Sequence, residues 1–179
     1  MGYKTVLFMT ETSLKRRAFL RGRSPQFNQA AIRPPWALPF AEFIDHCERC
    51  DACIGACPKG IIFRGDGGFP EVNLTRGECV FCTDCVKACK ANAFQTGGLN
   101  EENAWDLSVE ILPVCLSLNA IVCRICGENC DTEAISFKLQ LGGISIPEIA
   151  QDKCTGCGAC LFSCPNNSIA ITAMQSSKE

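Results

Sequence analysis

The sequence contains little histidine, tyrosine or tryptophan: one, one and two residues among 179. It has no glycine-rich nucleotide fingerprint, no flavin site and no Ser-His-Asp or Cys-His constellation. A membrane-spanning helix needs about 20 apolar residues, and the apolar stretch "ILPVCLSLNAIVC" is short and interrupted by Pro113. These absences argue against an enzyme with its own substrate site and against a membrane span.

Cysteine, in contrast, is abundant: 16 residues form four groups of four, with none left over. Three of the groups have two, two and three residues between successive cysteines, as in "CERCDACIGAC". The third group is a stretched version with seven, two and three intervening residues. The four groups span residues 47–57, 79–89, 115–130 and 154–164.

Three kinds of site compete to explain these cysteines. Disulfides need an oxidising compartment, and a chain of this length can build a core without them. Zinc uses pairs of cysteines two residues apart, but it joins two separated pairs, whereas here three thiols fall within seven residues. Three close thiols followed by a fourth and a proline, as at Cys57 and Cys164, are typical of a [4Fe–4S] cluster. The spacing therefore favours iron–sulfur over zinc and disulfides.

The groups are expected to work in pairs, because in two-cluster ferredoxins the fourth cysteine of each run binds the other cluster. Pairing the first group with the second, and the third with the fourth, predicts four [4Fe–4S] clusters and makes all 16 cysteines metal ligands. The expected sets are Cys47, Cys50, Cys53 and Cys89 for cluster 1; Cys79, Cys82, Cys85 and Cys57 for cluster 2; Cys115, Cys123, Cys126 and Cys164 for cluster 3; and Cys154, Cys157, Cys160 and Cys130 for cluster 4.

An internal repeat joins the groups of each pair, since both linking stretches run from an apolar strand through Gly-Gly into a second strand. Residues 135–141 alternate apolar and polar side chains, which predicts a half-buried strand with a hairpin turn at Gly142-Gly143. The segment "WDLSVEI" alternates in the same way, and a closing strand is expected at residues 169–173.

The expected fold is therefore α+β, with two ferredoxin-like units in tandem and short strands and helices around four clusters. We expect a basic N-terminal arm at residues 1–40, the first unit at 41–98 and the second at 99–179. The polar stretch "TGGLNEEN" separates the two units. Trp36, in "RPPW", is expected to anchor the arm on the core.

The third group leaves two interpretations open. Its insert "LSLNAIV" either shields the cluster from water and tunes its potential, or is a tolerated loop insertion without redox consequence. Lys90 and Asp131 also stand where the first and fourth groups have proline. These substitutions affect the expected local potentials but not the expected ligation.

Charge is distributed unevenly along the chain. Residues 1–40 hold seven Lys/Arg and one acidic residue, whereas the remainder holds ten and eighteen. An acidic body argues against a nucleic-acid partner. In the arm, "KRRAFLR" with Arg16-Arg17 resembles the core of a twin-arginine export signal, but the apolar run and cleavage site of such a signal do not follow. A short basic helix and a cytoplasmic location are favoured, and a periplasmic location is the alternative if the segment functions in export.

Taken in order, "KRRAFLRGR", "IRPPW", "HCERCDAC", "RGDGGFPEVN", "AWDL", the stretched third group and "CTGCGAC" resemble the NapF family, the ferredoxin-type accessory proteins of the periplasmic nitrate reductase system. The resemblance runs from about residue 13 to residue 173. It implies a cytoplasmic protein with four [4Fe–4S] clusters. It also implies an interaction with the molybdenum-containing catalytic subunit of the reductase before that subunit is exported.

The expected function is iron–sulfur electron transfer by an accessory protein that acts on the precursor of this catalytic subunit during its maturation. The alternative is a standing electron carrier between a quinol or reductant oxidiser and a terminal reductase. Because every thiol is assigned to a cluster, none remains for catalysis. The chain is therefore expected to be no enzyme in its own right.

Overall fold

The computed structural model describes residues 31–142 and 144–174. Arg16 and Arg17 of the basic arm lie outside the described residues, as does Gly143 of the predicted hairpin turn. Strands of three to five residues and equally short helices fill the spaces between the cysteine loops. Among the described helices, none has the length and apolar composition needed to cross a membrane.

The first unit is built from three short helices and one hairpin. In chain order its elements are α1 (Phe40–His46), α2 (Ala52–Ala56), β1 (Ile62–Arg64), a 3-10 turn (Asp66–Gly68), β2 (Pro70–Val72) and α3 (Asp84–Lys87). Helices α2 and α3 each begin directly after a residue in the left-handed region, Asp51 (φ 62°) and Thr83 (φ 64°). A left-handed residue reverses the chain within one step, so loop and helix together wrap around one site.

The second unit repeats this plan with longer strands. Its elements are β3 (Leu107–Ile111), a 3-10 turn (Ser117–Asn119), α4 (Ile125–Glu128), β4 (Ile135–Leu139), β5 (Ser145–Ile149), a 3-10 turn (Gln151–Lys153), α5 (Ala159–Ser163) and β6 (Ile169–Ala173). Gly158, with φ 85°, takes the position before α5 that Asp51 and Thr83 hold before α2 and α3.

The strands pair as three antiparallel two-stranded sheets. Two are hairpins, with Ile62 opposite Val72 in β1–β2 and Ile135 opposite Ile149 in β4–β5. The third joins the two ends of the second unit by pairing β3 with β6. In the first unit, an isolated bridge between Ala37 and Phe94 makes the corresponding contact. The predicted hairpins and the closing strand at residues 169–173 are confirmed.

The predicted burial of residues 135–141 is correct for only part of the strand. Ile135 is 8 % exposed, whereas Leu139 and Leu141 are 73 % and 99 % exposed. The strand contacts helix α4 and then extends beyond the core with its hairpin partner. Strict alternation shows which side chains share one face of a strand. It does not show how far along the strand that face is covered by the rest of the protein.

The larger hydrophobic core lies in the first unit and extends across the boundary between the units. Phe43 and Phe69 are fully buried and Phe94 is 5 % exposed. Trp105, Leu161 and Ile171 of the second unit pack against this same core. The second unit has its own smaller core, made of Val109, Ile135, Cys160 and Ile169.

Trp36, the residue expected to anchor the arm, is buried in the core and only 1 % exposed. Its indole N–H donates to the carbonyl of Asn100 and to Oδ1 of Asn103, both at 2.9 Å. Its ring meets Phe81 edge-on with centroids 6.1 Å apart, and Phe81 meets Trp105 in the same manner at 5.9 Å. The chain just before α1 therefore packs into the interior and contacts the segment that links the two units.

Candidate iron–sulfur sites

Four cavities lie among the cysteine loops. Each is lined by four cysteines, and the four belong to two different groups of the sequence. The first site is lined by Cys47, Cys50, Cys53 and Cys89; the second by Cys57, Cys79, Cys82 and Cys85; the third by Cys115, Cys123, Cys126 and Cys164; and the fourth by Cys130, Cys154, Cys157 and Cys160. The structure thus brings together the four cysteines of every set expected from the sequence.

The remaining lining of these cavities is largely apolar or backbone. Ile61 and Ile62 line the second site, and Ile111 and Ile169 line the third. All 16 cysteines are free thiols in this structure. Within the described ranges, no group of three or more His, Cys, Asp or Glu side chains is arranged to hold a metal ion. The thiols instead line four separate pockets.

Burial raises the pKa of several of these thiols and holds them in the protonated form. The pKa is raised to about 11 for Cys53 and Cys126, and to about 12 for Cys85 and Cys160. Negative charge on neighbouring thiols adds to the effect, because clustered thiolates repel one another. Four such thiols fit a polynuclear iron group, since a strongly cationic centre stabilises the thiolates and releases their protons.

Cys164, in the third site, is an exception among these thiols. Burial raises its pKa, but hydrogen bonds from the Ser168 hydroxyl and from the backbone of Ser168, Asn166 and Asn167 outweigh burial, so the pKa lies below its ordinary value. The Ser168 hydroxyl is 3.2 Å from Cys164 Sγ, and the Ser168 backbone N–H donates to the same sulfur at 3.3 Å. The chain itself therefore stabilises a thiolate at this position.

Sequence reasoning missed Ser168, although a signal for it exists. Four residues after the last cysteine, the other groups have Ile61, Ala93 and Ala134, and only the fourth group has a hydroxyl residue there. Aligning the four groups with one another would have identified it. Ser168 is also 2 % exposed, so its hydroxyl lies in a water-poor setting.

Other sulfur contacts come from the Thr132 hydroxyl, which lies 3.6 Å from Cys130 Sγ, and from backbone N–H groups. The N–H of Phe81 donates to Cys79 Sγ at 3.4 Å, and the N–H of Ala134 donates to Cys130 Sγ at 3.3 Å. Such bonds stabilise negative charge on the sulfur and raise the reduction potential of a bound cluster. Phe81 itself is in the left-handed region with φ 50°, a conformation in which a bulky side chain is rare.

The insert of the third group covers its site only in part. Leu116 and Ser117 line the third cavity, and the Ser117 hydroxyl donates to the Ser145 carbonyl of β5. Ile121 and Val122, in contrast, are 53 % and 89 % exposed. The first residues of the insert therefore exclude water from the site, while its remaining apolar side chains face solvent.

Comparison with known families assigns the class of the protein. The 4Fe–4S dicluster domain family matches residues 46–93 and again residues 121–170. Each match spans one linking stretch with its flanking cysteine loops, although the second begins after Cys115. Together with the four thiol-lined cavities, the matches define a ferredoxin-type iron–sulfur electron-transfer protein.

Individual relatives narrow this class to one family. The chain is 43 % identical over 158 residues to the ferredoxin-type protein NapF of Escherichia coli K12, covering 88 % of this chain and 93 % of that protein. It is 40 % identical over 176 residues to NapF of Haemophilus influenzae, covering 93 % and 98 %. The chain belongs to the NapF family of ferredoxin-type proteins.

A more distant relative is named for a different process. The methylamine utilization ferredoxin-type protein MauM of Methylorubrum extorquens is 35 % identical over 160 residues, covering 80 % of this chain and 72 % of that protein.

Proposed function

We propose that each of the four sites holds one [4Fe–4S] cluster, ligated by the four cysteines that line it. A bound cluster of this kind takes up and returns single electrons. The observation that carries the proposal is that four separate cavities are each lined by four thiols. Together they account for all 16 cysteines of the chain, which leaves no thiol for covalent catalysis.

The chain's own residues have three tasks in this role. The loops hold four thiols around each site, and the fourth cysteine of each group links it to its paired site. Backbone and hydroxyl donors, such as Ser168, stabilise charge on sulfur. Buried apolar residues such as Ile61 limit the access of water.

We infer further that the protein acts in the cytoplasm on the precursor of the periplasmic nitrate reductase catalytic subunit, exchanging electrons with it during maturation before export. Membership of the NapF family supports this assignment. The sequence after Arg16-Arg17, which is polar and lacks the apolar run of an export signal, supports only the cytoplasmic location.

The test is an anaerobic co-purification of the tagged protein from the cytosolic fraction of its host, with partners identified by mass spectrometry. The proposal predicts recovery of a molybdenum-enzyme precursor with its signal peptide still attached. Recovery of mature respiratory subunits alone would refute an encounter before export.

Ligand replacement tests whether the sites are needed for this role. Cys47→Ser or Cys154→Ser is expected to lower the specific activity of the exported reductase without reducing its amount. Ser163→Ala is the matched control, because its hydroxyl contacts the carbonyl of Cys160 at 3.4 Å and no sulfur. Unchanged specific activity in both cysteine variants would contradict the proposal.

We consider a second candidate, a standing electron carrier between a quinol or reductant oxidiser and a terminal reductase, because one ferredoxin-type relative, MauM, is named for methylamine utilization. In that case the same cysteine variants slow turnover of reductase that is already mature. Adding purified wild-type protein to mature enzyme then restores the rate. An accessory protein that acts only during maturation gives no such rescue.

A further inference from the structure

A backbone hydrogen bond joins cysteine loops that are far apart in the sequence and belong to different units. The N–H of Cys79 donates to the carbonyl oxygen of Cys157 at 2.8 Å. Cys79 lines the second site and Cys157 lines the fourth. The two units therefore meet directly at two of their sites.

Close packing holds this junction in place. Gly158, which follows Cys157, has φ +85°, and a Cβ added there would lie 2.7 Å from Cβ of Leu74 in the first unit. Leu74 is 3 % exposed, so it has little room to move aside. The glycine permits both the left-handed backbone and the close approach of the fourth site's loop to the first unit.

Within each unit, the two sites are joined through the chain itself. Cys57 ends the loop that surrounds the first site but lines the second, and Cys89 makes the reverse connection. Helix α2 packs against α3 and helix α4 packs against α5. Cys130 and Cys164 link the third and fourth sites in the same way.

We propose that these contacts arrange the four sites in one electron path whose order is first, second, fourth, third, with the Cys79–Cys157 hydrogen bond as the junction between the units. This inference rests on the ligand sets of the proposed function. In each internal step, one site loses one electron as its neighbour gains one, so the chain as a whole changes its electron count only through an external donor or acceptor.

The order along this path differs from the order along the chain. The stretched third group lies at one end of the path, although it stands third of four in the sequence. The first site lies at the other end. External partners are therefore expected to exchange electrons at the first and third sites, and the second and fourth sites are expected to act as internal relays.

EPR spectroscopy of the dithionite-reduced protein tests the order, because neighbouring reduced sites broaden one another's signals. One ligand of each site is replaced in turn, as Cys50→Ser, Cys82→Ser, Cys123→Ser and Cys154→Ser. Loss of the second site should narrow the EPR signals of the first and fourth sites, and loss of the fourth site should narrow those of the second and third sites. Loss of the first site should narrow only the EPR signal of the second site, and loss of the third site should narrow only that of the fourth site.

Two results would overturn the order. If Cys82→Ser narrows only the first site's signal, the units are not coupled through the second site. If it narrows the signals of the first and third sites, the path follows the sequence order instead. Should a variant fail to fold, a stepwise redox titration of the wild-type protein still tests whether the four sites form one path, since two signals should broaden in two stages and two in one. Broadening of every signal in a single stage would show two separate pairs and overturn the junction between the units.

Iron analysis separates failure of this inference from failure of the proposed function. Wild-type protein with four clusters should contain about 16 iron atoms per chain. Fewer than 16 iron atoms per chain in protein reconstituted with excess iron and sulfide would contradict the ligand sets themselves. A full count with a different coupling pattern would contradict only the order of the path.

Discussion

The two units have the same plan but bury their side chains to different extents. In the first unit, Phe43 and Phe69 are fully buried. Among the described residues of this unit, Val80 is the one large apolar side chain that is exposed to solvent. The second unit exposes a longer series: Val114, Leu118, Ile121, Val122, Ile125, Leu139, Leu141, Phe162 and Met174. It also places Leu161 and Ile171 on the core of the first unit.

This difference shows that one repeat can depend on its neighbour for stability. The first unit closes around an aromatic core of its own, whereas the second combines a small core with contacts to that aromatic core. The second unit is therefore expected to rely more on its clusters and on the junction than the first unit does.

Removal of iron is the strongest way to test the comparison. Because ligand binding and folding are coupled at metal sites, anaerobic chelation should abolish the near-ultraviolet dichroism of the protein. Hydrogen exchange should show protection lost in β3–β6 before β1–β2, with rates in β3–β6 approaching those of an unfolded chain. Apo protein with native-like dichroism, or with simultaneous loss of protection in both sheets, would remove the proposed difference between the units.

Gly158→Ala should weaken the junction itself. A side chain at this left-handed position lowers the free energy of unfolding by about 1–2 kcal/mol. The clash of the added Cβ with Leu74 lowers it by roughly another 1–3 kcal/mol. Gly142→Ala is the matched control, because Gly142 has φ +89° and no atom within 4 Å of the added Cβ. Anaerobic guanidinium denaturation measures both variants. Equal destabilisation of the two would show that the contact at Gly158 contributes nothing.

Ser168→Ala is expected to have the smallest effect, confined to the third site. Its hydroxyl bond to Cys164 Sγ would stabilise the more negatively charged reduced state of a cluster bound at the third site, so its loss should lower the reduction potential of that cluster alone. A hydrogen bond of roughly 0.5–1.5 kcal/mol corresponds to about 20–65 mV for one electron. An EPR-monitored titration measures the shift, with Ser163→Ala as the control. An unchanged potential in Ser168→Ala would show that this hydroxyl has no part in tuning the site.

Much of the candidate site is predictable from sequence, because a ligand set depends on short-range spacing. Three thiols within seven residues can reach one centre by a tight loop, and the crossed assignment of Cys57 and Cys89 follows from the ferredoxin pattern. Strands β3, β4 and β6 follow from alternating apolar residues. Burial was less predictable: residues 135–141 alternate throughout, yet Leu139 and Leu141 extend past the core.

The amino-acid sequence by itself determined the four groups of thiols, the repeated unit and the positions of most strands, because these depend on residues that are close together in the chain. Only the tertiary structure decided which units touch, and where. The Cys79–Cys157 hydrogen bond and the Gly158–Leu74 contact join residues about 80 apart in sequence. Local spacing carries no information about such a contact, because it arises only when two folded surfaces pack against each other.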